Sequence, residues 1–200
     1  MVSKDVMVIG GGVAGIQASL DLANRGYKVY LVERTPSIGG RMAQLDKTFP
    51  TMDCSMCILA PKMSDCSHHH NVQLLSYSEV KAVKGSSGDF TVTVTRKPRY
   101  VDESKCTGCG ICAEHCPVEV PNEFDQQLGT RKAIYMPFPQ AVPRAMAIDK
   151  NNCIECGLCT KMCQSGAVDL KQQSRYEGYN VGARVVATGF EILDASRLPT

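Results

Sequence analysis

The apolar positions at the start of the chain predict a strand–helix–strand unit. A short apolar strand, DVMVI, occupies residues 5–9 and leads into the glycine-rich stretch GGGVAG at 10–15. The amphipathic segment IQASLDLANRG predicts a helix that ends at Gly26, and KVYLVE predicts a second strand that ends at Glu33. Strand, glycine turn, helix and strand in this order have the length of a βαβ unit.

Two later segments alternate apolar and polar residues as strands do. They are NVQLLSYSEVKAV at 71–83 and DFTVTVTRK at 89–97, and GSSG at 85–88 predicts a hairpin turn between them. The segment 121–149 instead has three prolines between 137 and 143, which predicts loop and short helix. We expect this segment to dock its part of the chain on a neighbour.

Composition places the chain among soluble, intracellular proteins. The apolar fraction of 44% is sufficient for a buried core, and no apolar run approaches the ~18 residues that a membrane-spanning helix needs. The opening residues, MVSKDVMVIGGG, lead directly into a strand and lack the apolar segment of a secretory signal. We therefore expect a cytoplasmic protein with no membrane span.

The cysteine content is high, at 11 in 200 residues. Because there is no export signal and most of these cysteines repeat one close spacing, metal ligation is a better interpretation than disulfides. The formal charge of +2 counts the thiols as neutral, and two thiolate-bound four-iron clusters would change it to roughly −2. The charge therefore gives no indication of a nucleic-acid partner.

The glycine stretch has the spacing of a dinucleotide-binding turn. Gly10 suits a tight turn, Gly12 lets the backbone approach a pyrophosphate, and Gly15 lets the helix pack closely on the strand. The helix start offers N–H groups and a positive dipole end to phosphates. Glu33 can accept a hydrogen bond from a ribose 2′-hydroxyl and would repel the 2′-phosphate of NADP. The alternative is a glycine-rich turn that binds no ligand.

Two cysteine runs share the spacing C-x2-C-x2-C-x3-C, in CTGCGICAEHCP at 106–117 and CIECGLCTKMCQ at 153–164. This is the spacing of bacterial ferredoxins that hold two four-iron clusters. Zinc is the alternative, but structural zinc sites take one or two Cys-x2-Cys pairs for each ion, without a third cysteine at the next such interval. Two features depart from the ferredoxin pattern: Gln164 stands where proline is usual, and the interval 117–152 is longer than in a compact ferredoxin.

The remaining cysteines, Cys54, Cys57 and Cys66, have the spacing C-x2-C-x8-C and admit three interpretations. The first is a third four-iron cluster, with a fourth ligand from His68–His70 or from another chain. The second is a redox dithiol, and the third is a set of free thiols. The three adjacent histidines are expected in a solvated loop, and His115 is expected to pack near the first cysteine run rather than to bind metal.

The residues after Glu33 favour FAD over NAD. ERTPSIGGR resembles the glutamate–five residues–Gly-Gly pattern of two-dinucleotide-domain flavoproteins, and ARVVATGFE at 183–191 is similar to their ATG segment, whose strand returns beside the cofactor. We expect Arg41 to contact an FAD phosphate or the ring edge; the alternative is a surface salt bridge. The candidate FAD-binding residues are Gly10, Gly12, Val13, Ala14, Gly15, Glu33, Arg34, Gly39, Gly40, Arg41, Met42, Val80, Ala187, Thr188 and Gly189.

The resemblance to bacterial ferredoxins implies that the fourth cysteine of each run serves the other cluster. Gly108, Gly110 and Gly157 let the chain wrap closely and leave N–H groups free to point at sulfur. The implied ligand sets are Cys106, Cys109, Cys112 and Cys163 for one cluster, and Cys153, Cys156, Cys159 and Cys116 for the other.

Together, the glycine stretch, GGRMAQLDKTFP, the Cys-x2-Cys after it and the two ferredoxin runs resemble the family of heterodisulfide reductase A subunits over nearly the whole chain. They also resemble the A subunit of the quinone-interacting membrane-bound oxidoreductase complex. The resemblance implies an α/β, Rossmann-like two-dinucleotide-domain FAD-binding fold with an inserted α+β ferredoxin-type domain. We expect the first part of the FAD-binding domain at 1–98, the insertion at 99–172, and the return to the FAD-binding domain at 173–200.

This family resemblance implies an oxidoreductase subunit that relays or splits electron pairs between FAD and the clusters, with electron bifurcation as a further expectation. The implied partners are ferredoxin and other subunits of a redox complex: heterodisulfide reductase B- and C-like subunits, a hydrogenase, a formate dehydrogenase or another source of electrons. Family members usually continue to a second nucleotide-type lobe with a Gly-Asp motif. We therefore expect either a fragment or an obligate complex in which a partner completes the FAD fold.

Two alternatives to this function remain. One is an assembly scaffold with a vestigial flavin site, which flavin absorbance would distinguish. The other is a pyridine-nucleotide-dependent reductase like the small subunit of glutamate synthase. In that family the cluster region precedes the flavin glycines, whereas here it follows them.

Overall fold

The computed structural model describes residues 4–191, which form short strands and four helices around a parallel sheet. No helix in this part of the chain is long and apolar enough to cross a membrane. The helices are α1 (Val13–Asn24), α2 (Ser55–His68), α3 (Ile111–Glu114) and α4 (Leu158–Met162). The strands are β1 (Val6–Ile9), β2 (Val29–Val32), β3 (Lys47–Thr48), β4 (Asp53–Cys54), β5 (Val72–Leu75), β6 (Ser78–Ser86), β7 (Asp89–Arg96), β8 (Glu119–Pro121), β9 (Thr130–Lys132), β10 (Ile134–Tyr135), β11 (Ala147–Ile148), β12 (Arg175–Val181) and β13 (Ala183–Val186).

The parallel sheet has the order β13-β1-β2-β5. The predicted βαβ unit is confirmed as β1, α1 and β2, and its strands read VMVI and VYLV. Every residue of β2 is buried, as is typical of parallel strands covered on both faces. The sheet joins the first and last described strands, because β13 pairs in parallel with β1.

A second, antiparallel sheet has the order β12-β7-β6. The predicted hairpin is confirmed, since β6 and β7 pair from Ser78↔Arg96 to Ser86↔Asp89. The prediction of one strand over 71–83 is wrong. The chain turns at Tyr77, whose φ is +52°, so β5 joins the parallel sheet while β6 joins the antiparallel one. Alternation continues on both sides of this turn, which is why the pattern did not reveal it.

Three groups of buried side chains hold these layers together. The helix-side core packs α1 and α2 on the parallel sheet and includes Val8, Ile16, Leu31, Leu59, Met63 and Cys66. The sheet-side core lies between the two sheets and includes Met7, Val32, Leu75, Val92, Val94 and Val181. The cysteine core lies around the ferredoxin-type runs and includes Val101, Cys112, Ile134, Ile148, Cys159 and Val168.

The interval 117–152 contains more regular structure than its prolines suggested. The predicted loop and short helix are present as the loop 136–146 and a 3₁₀ turn at Glu123–Asp125. In addition, β8 pairs with β9 and β10 pairs with β11, which the sequence did not predict. The three prolines between 137 and 143 all lie in the loop, so they leave the strands free to pair.

The proline-containing loop 136–146 docks the cysteine core on the helix-side core. Phe138 and Ala141 are buried among the helix-side residues. The N–H of Val142 donates to Ser37 Oγ at 2.8 Å, and the carbonyl of Val142 accepts from the N–H of Ile38 at 3.0 Å. The neighbour on which this segment docks is therefore the first part of the same chain.

The buried side chain of Arg99 also connects the proline-containing loop to the first part of the chain. Its side chain is 4% exposed, and its guanidinium donates to the carbonyl of Pro36 at 2.6 Å and of Ala145 at 3.3 Å. It also donates to Ser76 Oγ at 3.0 Å, and its Nε lies 2.8 Å from a carboxylate oxygen of Glu103. One buried cation thus connects segments that are distant in sequence.

Replacing Arg99 with alanine leaves the buried carbonyls of Pro36 and Ala145 without this donor. We expect Arg99→Ala to lower the free energy of unfolding by about 2–4 kcal/mol, because each buried acceptor that loses its partner costs roughly 1–3 kcal/mol. The matched control is Arg175→Ala, at an exposed position in β12, which should change the free energy by less than about 0.5 kcal/mol. Urea denaturation followed by circular dichroism measures both, and equal effects would contradict this role of Arg99.

Candidate functional site

The glycine turn between β1 and α1 brings three backbone segments into direct contact. A Cβ at Gly10, whose φ is +108°, would lie 2.3 Å from the carbonyl oxygen of Ala187. A Cβ at Gly15 would lie 1.8 Å from the carbonyl oxygen of Gly10. Since no real Cβ approaches an oxygen this closely, only glycine permits the contact of the turn, the helix and the segment after β13.

The surroundings of Gly12 are open by contrast. Nothing lies within 4 Å of the position that a Cβ would take there. Gly12 caps α1 without a side-chain hydrogen bond, and no acidic residue lies in the first turn. The N–H groups of that turn have no partner within the helix. The start of α1, at Val13 and Ala14, therefore offers the space, the donors and the positive dipole end that a pyrophosphate requires.

Glu33 lies beside this turn and is 6% exposed. One carboxylate oxygen accepts from the N–H of Gly11 at 2.6 Å, and the other accepts from the N–H and the hydroxyl of Thr35, both at 2.8 Å. These donors fix the carboxylate at the carboxyl end of β2, where the predicted ribose contact needs it. Sequence analysis missed Gly11 and Thr35, although a threonine two residues after the glutamate is a recognisable turn signal.

The loop that contains Gly39 and Gly40 folds back over the glycine turn. The N–H of Gly39 donates to the carbonyl of Gly11 at 2.7 Å. A Cβ at Gly40 would lie 2.9 Å from the Cα of Gly12. Both glycines have positive φ, at +123° and +57°. The chain thus turns back across the expected phosphate position, as the resemblance to flavoproteins implies.

The ATG segment also reaches this turn. The N–H of Ala187 donates to the carbonyl of Ile9 at 2.8 Å, which continues the pairing of β13 with β1. The Cα of Thr188 lies 3.1 Å from the position of a Cβ on Gly10, and Gly189 has a φ of +74°. The last described strand thus lies in the parallel sheet beside β1, and the segment after it lies against the glycine turn.

Four other candidate residues lie around this centre in different ways. Arg41 is half-buried and donates to Gln44 Oε1 at 2.9 Å. Met42 packs against the helix-side core, Val80 lies in β6 against the sheet-side core, and Arg34 is exposed. Their contacts with FAD stay predictions.

The first cysteine quartet, which is the implied ligand set of Cys106, Cys109, Cys112 and Cys163, gathers around Cys112. Burial raises the pKa of the Cys112 thiol to about 11, and the nearby Cys106, Cys109 and Cys163 raise the pKa in the same direction, as does Cys159 more weakly. Cys163 and Cys159 come from the second run, so the two runs meet at this position.

The second quartet lines a cavity. Its wall contains Cys153, Cys156 and Cys159 from the second run together with Cys116 from the first. The rest of the wall is mainly apolar, with Ile134, Ile148 and Leu170 among its residues. Four thiols around an apolar space form a donor set that suits an iron–sulfur cluster. The individual ligand assignments of both quartets stay predictions.

Backbone N–H groups point at cysteine sulfur in the surroundings of both quartets. The N–H of Ala167 donates to Cys163 Sγ at 3.3 Å, and the N–H of Glu155 donates to Cys153 Sγ at 3.4 Å. Burial acts to raise the pKa of Cys163, but hydrogen bonds from the Ser165 hydroxyl and from nearby backbone N–H groups outweigh it and lower the pKa. Such hydrogen bonds raise the reduction potential of a cluster by stabilising negative charge on sulfur.

The structure does not bring Cys54, Cys57 and Cys66 together. Cys54 and Cys57 form a disulfide, whereas Cys66 is fully buried in the helix-side core, where burial raises the pKa of its thiol to about 11. Cys57 and Cys66 both lie on α2, roughly 13 Å apart along its axis at 1.5 Å per residue. The bond between Cys54 and Cys57 is the arrangement that the dithiol interpretation describes, and the third cluster stays a prediction.

His68 ends α2 and is followed by His69 and His70, whereas His115 lies inside the first cysteine run. His69 and His70 stack with their ring centroids 4.8 Å apart, and His69 Nε2 lies 3.3 Å from Asn24 Oδ1. His115 is exposed, with Nδ1 2.9 Å from the carbonyl oxygen of Ile111. Within residues 4–191, no three or more His, Cys, Asp or Glu side chains lie close enough together to hold a single metal ion, so the case for the cysteine quartets concerns a four-iron cluster and not one bound ion.

Comparison with protein families agrees with this geometry. Residues 5–132 match the model of FAD dependent oxidoreductases, which is more than half of the chain. The chain belongs to the FAD-dependent oxidoreductase family. Residues 105–168 of this family member match the 4Fe-4S dicluster domain. The predicted fold class and the predicted cofactor types, FAD and four-iron clusters, are thereby confirmed, while the number of clusters stays a prediction.

Known relatives confirm the more specific resemblance. The chain is 59% identical over 195 residues to the iron-sulfur A subunit of the CoB–CoM heterodisulfide reductase of Methanocaldococcus jannaschii, covering 98% of this chain and 30% of that relative. It is 58% identical over 193 residues to the A subunit of the H2:CoB-CoM heterodisulfide,ferredoxin reductase of Methanothermobacter marburgensis, covering 96% of this chain and 29% of the relative. The chain thus spans about three tenths of the length of these relatives.

One further relative is the A subunit of the H2/formate:CoB-CoM heterodisulfide,ferredoxin reductase of Methanococcus maripaludis. It is 58% identical over 196 residues, which cover 98% of this chain and 30% of the relative. Among solved structures, L-proline dehydrogenase from P. horikoshii is similar over 46% of this chain and 19% of its own, with 28% identity and a TM-score of 0.41. A structural similarity of this size carries no functional argument.

Gly12→Ala tests the flavin site without disturbing the fold. A Cβ at Gly12 meets no protein atom within 4 Å. We therefore expect the flavin-free variant to have an unchanged unfolding midpoint, but we expect FAD binding to be at least about tenfold weaker, equal to ~1.4 kcal/mol. Gly178→Ala is the matched control, since a Cβ there also meets nothing within 4 Å. Flavin fluorescence titration and thermal unfolding measure the two effects. Equal FAD affinity in both variants would count against the site.

Double cysteine variants test the proposed exchange of ligands between the runs. Under this scheme Cys116→Ala and Cys156→Ala each remove the same cluster, so their combination should lose only about four irons. The combination of Cys116→Ala with Cys109→Ala should instead lose about eight. Iron analysis of protein purified without oxygen gives the counts. The opposite pattern would show that each run holds its own cluster.

Proposed function

We propose that this chain is the flavin- and iron–sulfur-binding part of an electron-transfer subunit in a heterodisulfide-reductase-like complex. The observation that carries the proposal is the direct junction between the two candidate cofactor sites. The loop with Gly39 and Gly40 begins at Ser37 and Ile38, which share hydrogen bonds with Val142 of the cysteine-containing part. A nucleotide site and a ferredoxin site held together in this way are suited to exchange electrons.

A packed path between the sites supports the same conclusion. A Cβ at Gly39 would lie 3.5 Å from the ring of Phe138, which stacks on Phe124 with centroids 4.9 Å apart. Met136 packs against both the helix-side core and the cysteine core. Its terminal methyl lies 3.0 Å from the position of a Cβ on Gly108, in the first cysteine run. These contacts connect the loop over the glycine turn to the first cysteine run.

The chain's own residues would bind and tune the cofactors. Bound FAD exchanges electron pairs and four-iron clusters carry single electrons, so together they convert one kind of transfer into the other. Gly12 and the start of α1 would hold the pyrophosphate, and Glu33 would hold the ribose. N–H groups such as that of Ala167 would stabilise charge on cluster sulfur. We propose that residues 1–98 and 173–200 form the flavin-binding part and residues 99–172 the cluster-binding part; residues 1–3 and 192–200 lie outside the described part of the chain.

The names of the relatives support a multi-subunit complex as the setting. All three names contain a CoB–CoM heterodisulfide, two of them add ferredoxin, and these two also name H2 or H2/formate. We propose ferredoxin, heterodisulfide reductase B- and C-like subunits, and a hydrogenase or formate dehydrogenase as partners, with bifurcation of the flavin's electron pair as the mode of transfer. Thiolate-bound clusters persist where thiols stay reduced, which supports a cytoplasmic location.

Flavin and iron content provides the first test. This chain, purified without oxygen and separated from copurifying polypeptides, should contain about one FAD and about eight irons. Fewer than about four irons with stoichiometric zinc would reject two four-iron clusters.

Photoreduction of the flavin tests electron transfer from the flavin to the clusters. Photoreduction of the flavin should produce the EPR signals of reduced clusters at a rate that does not depend on protein concentration, because the transfer occurs within one molecule. Gly12→Ala, measured at an FAD concentration at which it binds little flavin, should show a correspondingly weaker light-driven cluster signal but should keep its clusters reducible by dithionite. The proposal would be contradicted if the flavin were reduced while the clusters stayed oxidised, although the reduction potential of the clusters is more positive than that of the flavin.

A further inference from the structure

A disulfide lies at the start of α2, outside both the nucleotide site and the cysteine quartets. It joins Cys54 to Cys57, with the Cα atoms 5.2 Å apart, and both residues are exposed. Cys54 is the N-cap of α2, and its sulfur accepts from the N–H of Cys57 at 3.2 Å. The neighbouring residues in the chain form the small β3–β4 hairpin, in which Cys54 pairs with Lys47.

The hairpin does not depend on this bond for its shape. The N–H of Met52 donates to the carbonyl of Thr48 at 2.7 Å, and the N–H of Ser55 donates to the carbonyl of Asp46 at 3.1 Å. The bond spans a sequence separation of only 3, and a disulfide that closes so short a loop restricts the unfolded chain least. A solvent-exposed disulfide with little structural purpose is the kind that undergoes exchange.

We propose that Cys54 and Cys57 form a reversible redox couple that exchanges an electron pair with a dithiol or disulfide in solution or on a partner protein. The proposal does not require FAD or the clusters. It adds a two-electron thiol site to the chain, and it agrees with the general rule that disulfides of reducing compartments are transient and catalytic or redox-sensing.

The exchange begins when a thiolate of the external dithiol attacks Cys57 Sγ, forms a mixed disulfide and breaks the Cys54–Cys57 bond. Cys54 leaves as the thiolate, because the N–H of Cys57 and the start of α2 stabilise negative charge on its sulfur. The second thiolate of the donor then attacks the mixed disulfide and releases Cys57. The donor is oxidised to its disulfide, and its two protons pass to Cys54 and Cys57.

Peptide-level alkylation tests this couple separately from every other cysteine. Trypsin cleaves after Lys47 and Lys62 and so yields residues 48–62, which contain Cys54 and Cys57, while Cys66 falls in a different peptide. The native, cluster-loaded protein is equilibrated without oxygen in mixtures of reduced and oxidised dithiothreitol and then treated with iodoacetamide. We expect peptide 48–62 to change from unlabelled to doubly labelled as the ratio rises, and to change back when the ratio is reversed.

Each variant has a defined outcome. In Cys54→Ser and in Cys57→Ser the remaining thiol should be labelled once at every ratio, while Cys66→Ala should leave the titration of peptide 48–62 unchanged. The double variant Cys54→Ser, Cys57→Ser should keep the iron content of the parent protein.

Three results would overturn the proposal. The first is a peptide that is labelled only after the protein is denatured, which indicates an inert bond. The second is a peptide that is doubly labelled even in fully oxidised dithiothreitol, which indicates that no bond forms. The third is a loss of about four irons in the double variant, which identifies the pair as cluster ligands. None of these readouts depends on flavin reduction, so failure of the electron-transfer proposal would be recognised separately.

Discussion

The close approach of three backbone segments at the glycine turn is the constraint on which the rest of the nucleotide site depends. The carbonyl of Gly10 occupies the position that a Cβ of Gly15 would need, and the carbonyl of Ala187 occupies that of a Cβ on Gly10. This contact places the start of α1 at the carboxyl ends of β1 and β13. It also places Gly11 where its N–H can bind Glu33. The start of α1 and the N–H group that binds Glu33 are therefore positioned by backbone contacts that tolerate no side chain.

A second constraint connects the two halves of the molecule. The loop over the glycine turn is held from one side by Gly11 and from the other by Val142 and Arg99. Arg99 is a cation in an almost dry environment, and it remains there because carbonyls, a hydroxyl and a carboxylate surround it. The loop over the glycine turn thus completes the nucleotide site and anchors the cysteine core. A displacement at either site would therefore shift residues at the other.

Sequence patterns predicted those features that depend on neighbouring residues. The βαβ unit follows from apolar periodicity and glycine spacing. The first three cysteines of each run follow from the Cys-x2-Cys spacing, which a short turn of the chain brings together. Features that depend on distant contacts were not predicted. Arg99 is charged, so composition alone favours exposure, and the turn at Tyr77 lies inside a continuous alternation. The spacing of Cys57 and Cys66 also gave no warning that α2 would hold them on separate turns, one exposed and one in the core.

The position where the cysteine-containing part leaves and rejoins the two-sheet fold has a consequence for how the chain reaches its native state. Arg96, the last residue of β7, lies opposite Arg175, the first residue of β12. The whole intervening stretch therefore begins and ends at adjacent points of one ladder. Closing a long flexible loop between such points costs entropy that grows with its length. Once the intervening stretch has condensed around its sulfurs, its ends are already near each other, and β12 can join β7 as if across a short connection. Iron loading would then hasten completion of a sheet that contains no metal.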